Sequence, residues 1–173
     1  MLNLYNVQIE KDISMSAIFP GRYTARRDGP FILFLIGMRV HRPWAPWEWL
    51  PVFSAMPGMM REVAANPDSG FLGAESFISL TNPLIVQYWK DFDSLLAYAH
   101  DRQGKHFPAW ARFNREVGAN GKIGIWHETY RIEAGACESI YGNMPLTGLA
   151  TTRGALHAKA EGRPGSAKAR MGA

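Results

Sequence analysis

One cysteine, Cys137, stands in a chain of 173 residues. A lone thiol cannot close an internal disulfide, and a cysteine-rich zinc or iron–sulfur site cannot be assembled from it. Its isolation agrees with a reducing compartment. Long apolar runs are missing as well: the longest, Phe31–Met38, has the size of a strand, far from the roughly 18 residues of a membrane span. Met1–Glu10 has neither the basic head nor the apolar centre of a secretory signal. These absences predict a cytoplasmic protein without a membrane partner. No Gly-rich phosphate loop or dinucleotide fingerprint follows a strand-like segment, no Gly-x-Ser-x-Gly elbow occurs, and there is no carboxylate-rich calcium loop. Oxidative chemistry in this chain is therefore expected to be cofactor-independent, to use haem, or to draw on a diffusible reduced flavin.

The net charge of +4 is unevenly placed. Residues 151–173 hold Arg153, Lys159, Arg163, Lys168 and Arg170 against Glu161, so this stretch carries all of the excess and the other residues balance. A basic, Ala/Gly-rich end reads as a solvated tail. Nucleic-acid binding needs a basic surface on the folded part too, and no nucleic-acid partner is expected. Hydrophobic residues make up 47% of the chain, enough for a packed core.

Turn signals at Pro20-Gly21 and Asp28-Gly29-Pro30 make residues 1–30 read as an irregular arm. Phe31–Val40 reads as a buried strand. After the turn His41–Pro46, the apolar positions Trp47, Leu50, Phe53, Met56, Met59, Met60 and Val63 recur at helical spacing. Pro57-Gly58 predicts a break in that helix, with a second piece running to about Ala65. Phe71–Leu80 and Leu84–Trp89 read as strands joined by Thr81-Asn-Pro83, hence antiparallel. Asp91 or Asp93 can cap a helix beginning near Phe92. A further helical piece is expected over Trp110–Val117, and a fourth strand over Lys122–Glu133. The order is βαββαβ, which predicts a ferredoxin-like α+β domain over residues 31–135, its antiparallel sheet carrying both helices on one face. Large residues on both faces of the first and fourth strands need a second cover, and a copy of the same sheet supplies one, giving a homodimer in the form of a dimeric α/β barrel. Residues 136–173 read as a C-terminal arm followed by a flexible basic tail.

Several side chains are candidates for chemistry. His127 and Glu128 adjoin, but the metalloprotease pattern needs a second histidine four residues after the first, and position 131 is Arg. Two readings of His127 stay open: a buried histidine bonded to a backbone group or carboxylate, and a general base whose pKa burial tunes. His100 and His106 are six apart, a poor match to one helical face, so a bidentate metal pair is not expected; His106 alone can serve as an axial ligand to an iron porphyrin, or either can interact with helix-terminal carbonyls. Arg39 ends an apolar strand and calls for a partner, Glu128 or Glu75, or else an anionic ligand group. Arg39 and Tyr130 are the candidates to orient polar substrate atoms. Phe53, Met56 and Met60, with Trp89 and Trp126, are the candidate lining of an adaptable apolar pocket.

Five segments carry a resemblance: Pro20-Gly-Arg-Tyr-Thr-Ala25, Phe34-Leu-Ile-Gly-Met-Arg39, Trp89-Lys-Asp-Phe-Asp-Ser-Leu-Leu-Ala-Tyr-Ala-His100, His106-Phe-Pro-Ala-Trp110 and Gly124-Ile-Trp-His-Glu-Thr-Tyr130. Together they resemble the bacterial monooxygenase family domain of unknown function, placed among the dimeric α/β-barrel proteins, over roughly residues 15–135. The Trp89–His106 stretch is also similar in layout to the antibiotic-biosynthesis and haem-degrading monooxygenases. That layout implies His106, with His100 second, as the histidine facing the barrel pocket. The resemblance implies a monooxygenase-like enzyme acting on a small apolar or aromatic metabolite. The same superfamily contains haem-dependent aldoxime dehydratases, so a haem-binding lyase or dehydratase and a non-catalytic small-ligand-binding barrel stand as alternatives.

Overall fold

The computed structural model describes residues 17–104, 111, 113–114, 121–162 and 165–171. Among them the elements in chain order are β1 (Phe19–Arg26), β2 (Phe31–Val40), α1 (Pro46–Ala65), β3 (Phe71–Phe77), β4 (Leu84–Trp89), α2 (Phe92–His100), β5 (Ile123–Ile132), β6 (Tyr141–Met144), β7 (Leu156–Lys159) and the short α3 (Ala167–Arg170). The chain divides into two compact units, Phe31–Arg131 and a unit made from its two ends, Met1–Pro30 with Ile132–Ala173.

In Phe31–Arg131 the order β2-α1-β3-β4-α2-β5 gives a four-stranded sheet, β3-β4-β2-β5. This is the ferredoxin-like α+β fold. The pairs β2/β4 and β3/β4 are antiparallel, with Ile32 opposite Trp89, Phe34 opposite Gln87, and Phe71 on the other side of Trp89. The chain alternates faces along each strand, so Ile32, Phe34, Ile36, Met38 and Val40 share the helix side. There they form two clusters. Ile32, Phe71 and Trp89 pack with Val63 of α1 and Leu95 of α2. Met38, Val40 and Ile123 pack with Trp49, Val52, Phe53 and Phe113. Trp89 is fully buried, and its indole N–H donates to the amide oxygen of the equally buried Gln87 at 2.9 Å. Neither group is left without a partner.

Helix α1 is one continuous helix rather than the two pieces expected, with Pro51 and Pro57 both inside it. Each proline forfeits a helical N–H bond; the apolar face that runs through both turns, from Val52 and Phe53 to Met60 and Val63, packs against the sheet on either side of Pro57 and carries the helix across it. Pro46 stands in its first turn, where no N–H is required. β3 stops at Phe77, short of the expected Leu80, because Ser79 accepts from the Asn82 N–H and turns the chain early. The turn then continues the sheet differently: Met38 N–H donates to the Pro83 carbonyl and Val40 N–H to the Thr81 carbonyl. Asp91 caps α2, accepting from the Ser94 N–H at 2.8 Å, and this bond together with the Ser94 hydroxyl holds its carboxyl below the usual range. Tyr98 on α2 donates to the Met59 carbonyl of α1, and burial pushes its phenol up to about 12. Of the helical piece expected over Trp110–Val117, Ala111, Phe113 and Asn114 are described and are helical.

Within their described residues the two arms carry regular structure. Phe19–Arg26, read from sequence as turn, is the central strand of a three-stranded sheet β6-β1-β7. Tyr23 lies opposite Tyr141 on one side and Lys159 on the other. Ser139 extends the pairing with a side chain, accepting from the Ala25 N–H at 2.8 Å and donating to its carbonyl at 2.7 Å. The stretch expected to be a loose tail therefore supplies β7, and Arg170 of α3 bonds Glu138 at 2.8 Å, which lowers the pKa of that carboxyl. His157 stacks on Tyr23 with ring centroids 4.9 Å apart, beside Phe19 and Tyr141, and burial pushes its imidazole pKa down.

Candidate functional site

Between the sheet of Phe31–Arg131 and α1 lies a cavity of about 250 Å³. Its floor comes from adjacent strands: Ile36 and Met38 of β2, Leu84 and Ile85 of β4, Ser76 and Phe77 of β3, and Ile125 of β5. Val52, Phe53, Met56, Pro57 and Met60 close it from α1, and Ile78 and Pro83 from the β3–β4 turn. The helix supplies this wall because its spacing of three and four brings Phe53, Met56 and Met60 to one face. Among the described residues the only polar side chain in the lining is Ser76, and no titratable group lines it.

The residues singled out from sequence distribute as follows. Phe53, Met56 and Met60 line the cavity. Trp89 does not: it is the centre of the core cluster, with no exposed surface. Trp126 does not either. It projects from the opposite side of the sheet, 42% exposed, across Gly37, where a Cβ would stand 2.5 Å from its ring. Strand parity explains Trp126, since odd and even positions of a strand never share a face; Trp89 is on the same face as Ile85 but four residues along β4, where Val63 and Leu95 cover it.

His127 follows Ile125 on the helix side of β5, but it is exposed rather than buried, its ring 5.6 Å from that of Phe34 and outside the cavity wall. Arg39 does not pair with Glu128 or Glu75; its guanidinium donates to the Asn82 side-chain oxygen at 2.6 Å, because the β3–β4 turn reaches the end of β2. Glu128 instead accepts from the Tyr130 hydroxyl on the same face of β5, and this bond pushes the Tyr130 pKa up. Both groups are exposed and neither reaches the cavity. His100 is the exposed last residue of α2. His106 lies outside the described residues. Sequence reasoning missed Ser76, which enters the wall by its register opposite Ile85, and Ile78 and Pro83, which enter it because β3 ends early and its turn folds beside β2.

Haem is the one cofactor the resemblance raises. Among the described residues the fit is poor: a porphyrin exceeds a cavity of about 250 Å³, and no histidine, cysteine or tyrosine ligand faces it. No group of three or more His, Cys, Asp or Glu among these residues is arranged to hold a metal ion, and no helix among them is long and apolar enough to cross a membrane.

Sheet order and cavity together define a ferredoxin-like α+β protein with a small, almost wholly apolar chamber under its first helix. The chain belongs to the Monooxygenase af470-like family, whose model matches residues 31–149. A search of the curated proteins gives no match. Among solved structures the chain is similar to an aldoxime dehydratase in complex with butyraldoxime, with a TM-score of 0.60 and 18% identity. That likeness is one of fold; it covers 77% of this chain but 40% of the dehydratase, so the chain spans well under half of that protein's length. It is also similar to SnoaB, a cofactor-independent oxygenase from Streptomyces nogalater (TM-score 0.40, 16% identity, 58% of this chain and 90% of that one). A third is a dimeric protein of unknown function and ferredoxin-like fold from Bacteroides fragilis (TM-score 0.44, 13% identity, 58% and 94%).

Proposed function

We propose that this chain is a monooxygenase-like enzyme whose substrate, a small apolar or aromatic metabolite, occupies the cavity under α1. The observation that carries the reading is the cavity itself. An apolar cavity of about 150 Å³ takes a benzene molecule, so 250 Å³ takes roughly ten non-hydrogen atoms, a bicyclic aromatic or a comparable chain. The family supports oxygen chemistry. In its cofactor-independent form the balanced reaction is one in which an activated CH2 carbon of the substrate takes one atom of O2 to become C=O. Its two hydrogens leave with the other atom as water, and the substrate supplies all four electrons.

A second reading has its own support. The described lining holds no group able to take a proton, which favours a non-catalytic binder of the same molecules. Oxygen uptake with a panel of phenols, quinols, activated-methylene aromatics and aldoximes separates the two. The enzyme reading expects turnover that falls at least tenfold in Met56→Trp, whose indole fills the cavity. Micromolar binding without oxygen uptake or aldoxime consumption supports the binder. Aldoxime dehydration dependent on added haem would install the lyase alternative, with His106 the ligand to test.

The same reading includes a homodimer. The helix-free face of the sheet carries Leu33, Leu35, Val86 and Trp126, an apolar surface that a second copy would cover. Light scattering is expected to report twice the monomer mass of 19.3 kDa; a monomer at micromolar concentration would remove the barrel from the proposal.

A further inference from the structure

We infer that Ser76 makes the cavity selective for uncharged molecules bearing a single hydrogen-bonding group, a hydroxyl or carbonyl, on an apolar body of about ten non-hydrogen atoms. This rests on the cavity being the ligand site, as proposed above, and adds which ligands it takes and how they lie.

Register places the hydroxyl. Ser76 pairs with Ile85, and Ile85 pairs on its other side with Ile36. The three side chains rise from adjacent strands toward α1 as one row of the cavity floor, two hydrocarbon and one polar. Ser76 Oγ has no hydrogen-bond partner among the described residues, whereas the flanking backbone is engaged in the β2/β4 and β3/β4 ladders. A serine hydroxyl both donates and accepts, so it serves a phenol, an alcohol or a ketone equally.

The rest of the wall sets the exclusions. A ligand carboxylate or ammonium would find no opposite charge in the described lining, and beside Ser76 it would exchange part of its hydration for a single neutral hydroxyl. A second polar group would face Ile36, Met38 or Phe53. Orientation follows too. Ser76, Phe77 and Ile78 form an exposed run of the lining on the β3 side, Ile78 being 84% exposed, with Pro57 of α1 the other exposed lining residue, while Met38 is buried. The polar end of the ligand lies on the open, β3 side, and its apolar body points inward toward Met38 and Phe53.

Calorimetric titration of the full chain with naphthalene, 2-naphthol and 2-naphthoate tests this, in the native protein, in Ser76→Ala and in Ser76→Thr. The expected result is 2-naphthol binding about three- to tenfold tighter than naphthalene, with 2-naphthoate at least about tenfold weaker than 2-naphthol. Ser76→Ala is expected to erase the preference for 2-naphthol while leaving naphthalene affinity unchanged, and Ser76→Thr, which keeps the hydroxyl, to retain it. Equal binding of naphthalene and 2-naphthol, or a preference that survives in Ser76→Ala, would overturn the role of Ser76 and leave the cavity as the site. Binding of 2-naphthoate as tight as 2-naphthol would overturn the charge exclusion. If naphthalene itself does not bind the native protein, the cavity reading falls, and the selectivity with it.

Discussion

Replacing Gly70 with alanine should destabilise Phe31–Arg131 through two separable causes. Gly70 closes the short turn Pro67–Ser69 with φ +73°, in the left-handed region. Holding an L-residue there costs about 1–2 kcal/mol. An added Cβ would also collide with Cβ and Oγ of Ser94 in the first turn of α2, and such overpacking costs typically 1–3 kcal/mol. The unfolded chain loses freedom with alanine, which returns about 0.4–1 kcal/mol. The expected net loss is about 1–4.5 kcal/mol. Ser94→Gly removes the obstructing carbon while leaving the N–H that Asp91 caps. The double variant should therefore recover the steric part and keep only the backbone part, a favourable coupling of about 1–3 kcal/mol. Urea unfolding followed by tryptophan fluorescence reads this directly, since Trp89 is buried in the same unit. A Gly70→Ala loss below about 0.5 kcal/mol, or strict additivity in the double variant, would refute the reasoning.

Three further outcomes are expected. Gln87→Leu leaves the indole N–H of Trp89 buried without its acceptor, and should cost about 1–3 kcal/mol in the same unfolding assay. Asp91→Ala should cost about 1 kcal/mol at neutral pH by loss of the α2 cap. The folded carboxyl has a lowered pKa, so this contribution is full above the unfolded value near 3.9 and vanishes as pH falls through the lower folded value; the gap between the native protein and the variant should close below about pH 4 in thermal melts at stepped pH. Truncation after residue 155 removes β7 from the sheet around β1, and limited proteolysis should then cut within Phe19–Arg26 at least tenfold faster, a result a loose tail would not produce.

Where the chain punctuates itself clearly, its fold was legible. Asn82-Pro83 and Asp91 bracket a strand found at Leu84–Trp89 and a helix found at Phe92–His100, because a turn and a cap are local devices that need no distant partner. Pro57-Gly58 in α1 was read as a break since sequence shows the lost bond but not the sheet that holds the helix on both sides of it. The second sheet was hidden: Tyr141-Gly-Asn-Met144 and Leu156-His-Ala-Lys159 are four residues each, too short for a pattern to mark them, and they become strands by pairing with Phe19–Arg26. The site divided in the same way. Helical spacing gave Phe53, Met56 and Met60. Trp89 and Trp126 were assigned by residue type; the pleat sent Trp126 to the opposite face, and Trp89, on the helix side, stands at the end of β4 away from the cavity.

The distance between strand partners also bears on the order of events at the ribosome. Ala25 bonds Ser139 across 114 residues. Synthesis at about 5–20 residues per second leaves β1 waiting roughly 6–23 s for that partner, and longer for β7. Phe31–Arg131 lies wholly between them and can complete its sheet while β1 is still single. Upstream of that domain, the newborn chain carries an unpaired strand edge, the kind of segment a holding chaperone would recognise, until the last strand emerges.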